Sequence, residues 1–240
     1  MRIINRLDVK EGSLIKGIQL EGWRKYGDPV EEAQRQYKSG IDEIFIVDVV
    51  ASLYGRNNSF ELLKKIAKNV FVPITLSGGI RTLEDVSNAF WNGADKIGIN
   101  SSATKNSNII SEIADRYGSQ AVVVNLEVKR INNEWFVLIE NGRTHTDKEL
   151  LLWIEEIQQK GAGEIYITSI DKDGTLNGPD LDLIEYVKNS IKIPTVYGGG
   201  ISCQDDITKL RDFNFLSGVS ISSGLYKLDK TVDFFRQEVD

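Results

Sequence analysis

Apolar and polar positions follow two different periods along this chain. Short runs rich in Val, Ile and Phe alternate with longer stretches in which apolar residues recur every three or four positions, the period of an amphipathic helix. The short runs predict eight strands, at approximately 3–9, 43–49, 73–76, 96–100, 121–128, 164–169, 194–197 and 216–221. The longer stretches predict helices at approximately 29–38, 60–69, 83–92, 109–117, 148–160 and 181–188. Strands that alternate with helices in this way are typical of a parallel sheet.

The two halves of the chain resemble each other at an offset of 121 residues. Segment 39–46 reads SGIDEIFI and matches KGAGEIYI at 160–167. Segment 73–80 matches 194–201 at the same offset, and in both a proline opens the strand and a glycine pair follows it. Such internal repeats indicate an architecture that is built from one unit used twice.

This repeat predicts a closed barrel. Each half supplies four strand–helix units, and the length of 240 residues is close to the ~250 of a (β/α)8 TIM barrel. We therefore expect a single α/β domain over residues 1–240, made of half-barrels at roughly 1–120 and 121–240. No change of composition marks a linker or a second domain.

Composition limits the partners and the location. The formal net charge of −6 argues against a surface that binds nucleic acid or an anionic membrane. Cys203 is the only cysteine, so neither an intramolecular disulfide nor a cysteine-rich zinc site is expected. Charges at Arg2 and Asp8 leave no room for an apolar signal segment, and no apolar run reaches the ~18 residues of a membrane span. We expect a cytoplasmic protein without a metal or cofactor.

Two carboxylates are the first candidates for catalysis. Leu7-Asp8-Val9-Lys10 matches Leu126-Glu127-Val128-Lys129 at an offset of 119, which places Asp8 and Glu127 near the ends of strands 1 and 5. Active sites of these barrels lie at the carboxyl ends of the strands. A carboxylate pair across the mouth can act as general acid and base, although two solvated strand-end carboxylates are the simpler interpretation. His145 is the only histidine and lies in a polar stretch, which makes a Ser-His-Asp triad improbable.

Glycine runs at matching positions of the two halves predict two phosphate sites. Each run follows a strand and precedes a helix, where bare backbone N–H groups can contact an anion. Each is followed about 21 residues later by a polar strand end. The candidate residues are Gly78, Gly79, Asn100 and Ser101 in the first half, and Gly199, Gly200, Ser222 and Ser223 in the second. A single glycine pair is usually a plain turn, but two symmetric ones suggest a substrate with a phosphate at each end.

The connection from Lys10 to Asp28 is far longer than an ordinary loop of two to six residues. Long loops in enzymes are often lids over the site. We expect a mobile lid in which Lys16 contacts substrate, against the alternative of a merely solvated insertion.

Four charges alternate at the other end of the predicted barrel. Arg2, Glu43, Lys96 and Glu164 stand at the beginnings of strands 1, 2, 4 and 6. A ring of salt bridges that contributes stability is the simpler interpretation. Alternating cations and carboxylates around the axis could also gate a passage through the barrel.

Over essentially its whole length the sequence resembles the HisF family, the cyclase subunit of imidazole glycerol phosphate synthase. The resemblance lies in segments 7–10, 27–30, 77–81, 93–96, 117–124, 161–165 and 168–175. It implies that a glutaminase (HisH-like) subunit docks under the barrel in a heterodimer. Ammonia then travels up the axis to a bisphosphorylated ribulosyl precursor, giving imidazole glycerol phosphate and aminoimidazole carboxamide ribotide.

The resemblance also assigns roles to individual residues. It implies that Asp8 and Glu127 are catalytic and that Asp173 and Gly174 belong to the substrate site. Arg2, Glu43, Lys96 and Glu164 match the family's ammonia gate, and Asp95 matches a contact with the glutaminase.

The sequence departs from the family pattern at two positions in the mouth. The family has Asp where this chain has Glu127, one methylene longer, and Arg6 stands where the family usually has a small residue. HisF-like paralogues that deliver ammonia for the amidation of surface-polysaccharide sugars tolerate such changes, so this function is an alternative. A phosphoribosyl isomerase of the sister family is another, although the four charges argue against it. A non-enzymatic ammonia conduit is the third.

Overall fold

The computed structural model describes residues 1–51 and 59–236. Eight parallel strands close into a barrel, in the spatial order β1, β4, β5, β6, β7, β10, β11, β12 and back to β1. Their bounds are β1 Arg2–Lys10, β4 Glu43–Asp48, β5 Ile74–Ser77, β6 Lys96–Ile99, β7 Val122–Ile131, β10 Glu164–Ser169, β11 Thr195–Gly198 and β12 Leu216–Ile221. These are the eight strands that the sequence predicts, and the (β/α)8 barrel is confirmed.

Helices surround the barrel. The described helices are α1 Pro29–Lys38, α2 Ser59–Ala67, α3 Leu83–Trp91, α4 Ser101–Lys105, α5 Asn108–Tyr117, α6 Leu150–Gln159, α7 Leu181–Val187, α8 Gln204–Arg211, α9 Ser223–Tyr226 and α10 Val232–Arg236. Asp28 caps α1 by accepting the N–H groups of Val30 and Glu31, and Pro29 occupies the first turn. Within the described residues, no helix is both long and apolar enough to cross a membrane.

Side-chain alternation along each strand separates two cores. Residues such as Leu7, Ile44 and Ile167 point outward and pack under the helices in the larger cluster. Their neighbours point into the barrel, where Ile4, Phe45, Val123, Tyr166 and Val196 form a smaller apolar cluster. Both faces of the strands are therefore buried, which explains why their sequences are nearly continuous apolar runs.

One β-hairpin follows the first strand of each half. Strands β2 Ser13–Ile18 and β3 Glu21–Gly27 follow β1, whereas β8 Glu134–Ile139 and β9 Thr144–Glu149 follow β7. The long connection at 10–28, in which the sequence predicts no strand, is an antiparallel hairpin. The helix predicted at 148–160 begins only at Leu150.

The pattern of apolar residues does not predict the hairpins, because most of β3 and β9 is exposed and neither strand has a regular apolar face. One of their turns nevertheless contains two residues of a type that favours turns. Asn132 and Asn133 both have positive φ, 50° and 66°, and separate β7 from β8 in a two-residue turn that matches the twist of a hairpin.

Candidate active site

Asp8 and Glu127 lie at opposite sides of the barrel mouth. Asp8 is near the end of β1 and Glu127 is on β7, and three barrel strands separate β1 from β7 in each direction. Each points inward because it shares a strand face with other interior residues, Ile4 in β1 and Val123 in β7. The structure thus brings together the two carboxyl groups that the sequence singles out.

The Asp8 carboxylate is held by two cations. Arg6 Nε donates to Oδ1 at 2.7 Å and Lys16 Nζ donates to Oδ2 at 2.7 Å. All three side chains are buried, at 5% exposure or less. Burial alone would raise the pKa of Asp8, but Arg6 and Lys16 outweigh it and hold the pKa below its ordinary value. Asp8 is therefore an ionised, weakly basic carboxylate at neutral pH.

Lys16 joins the first hairpin to the mouth. Its Nζ also donates to Asp173 Oδ1 at 2.8 Å, and its side chain is only 1% exposed. The N–H of Gln19 donates to the Asp173 carbonyl oxygen at 2.8 Å, which ties the hairpin to the loop after β10. The hairpin thus lies folded against the mouth, where a lid would lie when closed.

Glu127 has the opposite environment. Its Oε2 accepts a neutral hydrogen bond from the N–H of Gly142 at 2.8 Å, in the connection between β8 and β9. Burial raises its pKa from 4.5 to about 7, and the negative charge of Asp8 adds to that rise. The bond from Gly142 and the charge of Arg6 oppose it without cancelling it. At neutral pH this carboxyl can both give and take a proton.

The first glycine run lines a pocket that reaches Glu127. Gly78, Gly79, Asn100 and Ser101 line it together with Arg81 and Lys105. A Cβ at Gly78 would lie 2.3 Å from the carbonyl oxygen of Asp48, so a side chain cannot be placed there. Ser101 Oγ already accepts the N–H of Glu140 at 3.2 Å. The backbone groups and the two cations give this pocket the chemistry of an anion site.

The second run lines a smaller pocket on the other side of the mouth. Its lining includes Asp173, Gly174, Gly199, Gly200, Ser222 and Ser223. A Cβ at Gly200, where φ is +83°, would lie 2.0 Å from the carbonyl oxygen of Gly178. Among the described residues, Ser223 Oγ is buried without a hydrogen-bond partner. All predicted residues of the second site therefore lie around one pocket.

The four charges at the bottom form a closed ring. Arg2 donates to Glu43 at 2.7 Å and to Glu164, while Lys96 Nζ lies 2.9 Å from Glu43 Oε1 and 2.9 Å from Glu164 Oε2. Both carboxylates are almost fully buried, whereas the cations are partly exposed below them. The ring lies across the barrel axis, where it can either stabilise the barrel through its salt bridges or gate a passage along the axis.

Asp95 lies on the same bottom face. Its side chain is exposed, and Oδ2 accepts the N–H of Ile74 at 2.8 Å. It therefore helps to hold the start of β5, and its carboxylate remains accessible from outside the barrel.

Several residues of the mouth are not among the candidates from the sequence. Gly142 lies in the second hairpin, whose existence the periodicity does not show. Asn125 binds Ser77 Oγ at 2.7 Å inside the barrel, and Thr168 accepts from Arg6 Nη1 at 3.0 Å. Strand alternation could have indicated Arg6, because it stands two residues before Asp8 and so shares its inward face.

Fold and site together define a (β/α)8 barrel of two similar halves, with a carboxyl pair at its mouth between two glycine-lined pockets. A family model described as "Histidine biosynthesis protein" matches residues 2–231. The subunit HisF of imidazole glycerol phosphate synthase from Legionella pneumophila is 47% identical over 215 residues, which cover 89% of this chain and 99% of that protein. The HisF subunit of Sulfurisphaera tokodaii is 40% identical over 240 residues, covering 99% of this chain and 96% of that protein.

These similarities extend over nearly the whole barrel. The HisF subunit of Helicobacter hepaticus adds a further example, 46% identical over 206 residues, or 85% of this chain and 82% of that protein. The chain belongs to the HisF family of histidine biosynthesis proteins.

Proposed function

We propose that this protein is the cyclase subunit of an imidazole glycerol phosphate synthase. It uses ammonia on a bisphosphorylated ribulosyl substrate and releases imidazole glycerol phosphate and aminoimidazole carboxamide ribotide. The observation that carries the proposal is a pair of differently held carboxyl groups between two glycine-lined pockets: Asp8 is bound by Arg6 and Lys16, whereas Glu127 is half-buried and accepts only neutral donors among the described residues. Membership of the HisF family supplies the reaction for which this geometry is suited.

The two pockets hold the ends of the substrate. The run at Gly78–Gly79 binds one phosphate with the help of Arg81 and Lys105, and the run at Gly199–Gly200 binds the other. Fixing both ends places the middle of the substrate between the carboxyl groups, and such positioning contributes strongly to catalysis.

The carboxyl groups then perform different tasks. Glu127 donates and accepts the protons that ring closure requires, because its pKa of about 7 is matched to neutral pH. Asp8 stays ionised between Arg6 and Lys16, where it orients the attacking nitrogen and stabilises positive charge that develops on it. Lys16 also brings the first hairpin over the substrate and excludes water.

Ammonia comes from a separate glutaminase that binds the bottom face. This chain has one cysteine and one histidine, and they do not form a nucleophile–base pair, since Cys203 precedes α8 whereas His145 is exposed on β9. The ring of Arg2, Glu43, Lys96 and Glu164 gates the axis above the partner. Asp95 is a docking contact, since its carboxylate is exposed on that face.

The test uses the purified barrel and the ribulosyl substrate. Turnover with ammonium salt alone, and with glutamine only after the glutaminase is added, supports the proposal. Binding of the substrate without turnover from either nitrogen source would contradict it and would favour an ammonia conduit that serves another acceptor. Isomerisation of a phosphoribosyl substrate without ammonia would point to the sister family.

A further inference from the structure

Two aromatic rings fill the barrel axis between the ring of charges and the mouth. Phe45 on β4 and Tyr166 on β10 stack across the interior, with ring centroids 4.3 Å apart and planes inclined by 26°. Both residues are 2% exposed. The two strands lie opposite each other in the barrel, so the stacked pair closes its cross-section.

Glycines on two other barrel strands make room for the rings. A Cβ added to Gly98 on β6 would lie 3.2 Å from Phe45 Cζ, and one added to Gly198 on β11 would lie 3.1 Å from Tyr166 Oη. The Tyr166 hydroxyl donates to Ser220 Oγ on β12. The pair is thus fitted between the strands on both sides and leaves little free cross-section, as expected of a close-packed interior.

The layers below and above the pair differ in character. On the side of the charged ring, Ile4 and Val123 are in register with Glu43 and Glu164 and belong to the same apolar cluster as the pair. On the side of the mouth, the Arg6 guanidinium lies 5.9 Å from the centre of the Tyr166 ring and also binds Asp8. A molecule that has passed the ring of charges therefore meets apolar side chains, then two rings, then a cation.

This sequence of layers discriminates between ammonia and its conjugate acid. An ammonium ion would lose its hydration among apolar groups, which costs far more than the loss of hydrogen bonds by a neutral molecule. It would then approach Arg6, a like charge. Neutral ammonia meets neither obstacle, but it still cannot pass while the rings are stacked.

We propose that Phe45 and Tyr166 form a second barrier on the axis, which excludes water and ions and admits neutral ammonia only when the rings part. The proposal rests on the proposed function, because it requires ammonia to enter from the bottom face. It adds a barrier distinct from the four charges and names two residues that control delivery of nitrogen to the mouth.

The test is an isotope competition in the complex of this barrel with its glutaminase. Glutamine labelled with 15N in its amide and unlabelled ammonium chloride are supplied together with the ribulosyl substrate, and mass spectrometry measures the 15N fraction of the imidazole product. The variants are Phe45→Leu and Tyr166→Leu. Phe235→Leu is the matched control, because Phe235 is equally buried but lies in the outer core. Both nitrogen sources compete within the same reaction, so a lower concentration of folded variant does not change the 15N fraction of the product.

We expect the ratio of glutamine-derived to solution-derived nitrogen in the product to rise about two- to tenfold in Phe45→Leu and Tyr166→Leu. This factor is the change in rate that corresponds to the loss of one aromatic stacking interaction. Phe235→Leu should leave the ratio unchanged. Tyr166→Phe keeps the stack and should also behave like the unmodified protein.

Two failures are distinguishable. If product forms but the ratio in Phe45→Leu and Tyr166→Leu equals that of the control, the pair is not a barrier and the proposed function stands. If even the unmodified complex makes no product from either nitrogen source, the proposed function is wrong and the barrier falls with it.

Discussion

Replacing Glu127 by Gln tests the charge state on which the proposed chemistry depends. The difference between a pKa of about 7 in the folded protein and the ordinary 4.5 corresponds to about 3 kcal/mol. Between these values the folded state binds more protons than the unfolded state, so its stability falls as the pH rises. The contribution of Glu127 is fully present below pH 4.5 and is lost as the pH rises through about 7.

The amide of Glu127→Gln stays neutral and can still accept the N–H of Gly142. The stability of the variant therefore does not fall with rising pH, as that of the unmodified protein does when Glu127 ionises. We expect its free energy of unfolding, relative to the unmodified protein, to increase by about 3 kcal/mol between pH 4.5 and pH 8. The sign matters, because removing this ionisable group should stabilise the protein at neutral pH.

Urea unfolding at several pH values, followed by tryptophan fluorescence, measures the difference. Glu134→Gln is the matched control, since Glu134 is exposed on β8 of the same hairpin region. A constant difference between Glu127→Gln and the unmodified protein across this pH range would refute the assignment of a carboxyl that is protonated near neutrality. In turnover assays, the pH–rate profile of the same variant should no longer show a titration near pH 7.

Three further predictions concern the rest of the site. Asp8→Asn should lower ammonium-dependent turnover by at least ~10²-fold, and nearly intact turnover with normal substrate binding would show that the Asp8 carboxylate does not stabilise charge in the reaction. Lys96→Ala should alter glutamine-dependent turnover while ammonium-dependent turnover is largely retained, whereas a structural salt bridge predicts equal losses of both. Gly200→Ala places a Cβ 2.0 Å from the Gly178 carbonyl oxygen, so the rise in melting temperature that added phosphate produces should shrink. Gly12→Ala is its control, with φ of +75° and nothing within 4 Å of the added atom.

The barrel was predictable because its strands are buried on both faces. Residues such as Ile44 and Ile167 pack outward while Phe45 and Tyr166 pack inward, and such strands read as apolar runs regardless of the details of packing. The repeat then indicated that these strands close into a barrel. The hairpins were missed because β3 and β9 are mostly exposed, although Asn132 and Asn133 are residues of a type that favours turns.

The site was predictable as a set of positions but not as a set of charge states. Repeat symmetry places Asp8 and Glu127 at corresponding places and suggests similar roles. Which of them is ionised depends on Lys16, which reaches Asp8 from a hairpin, and on the burial of Glu127 behind Gly142. These contacts are tertiary, and no spacing in the sequence shows them.

The two hairpins turn an internally duplicated chain into an asymmetric catalyst. Arg6 corresponds to Asn125 at the offset that aligns Asp8 with Glu127, so the second half lacks the cation on its own strand. A synthetic barrel made from two copies of residues 1–120 would therefore carry two ionised aspartates, each beside its own arginine. A barrel made from two copies of residues 121–240 would carry two glutamic acids without a nearby arginine. Neither chimera would hold two carboxyl groups in different environments, so the difference between Asp8 and Glu127 comes from divergence of the duplicated halves rather than from duplication itself.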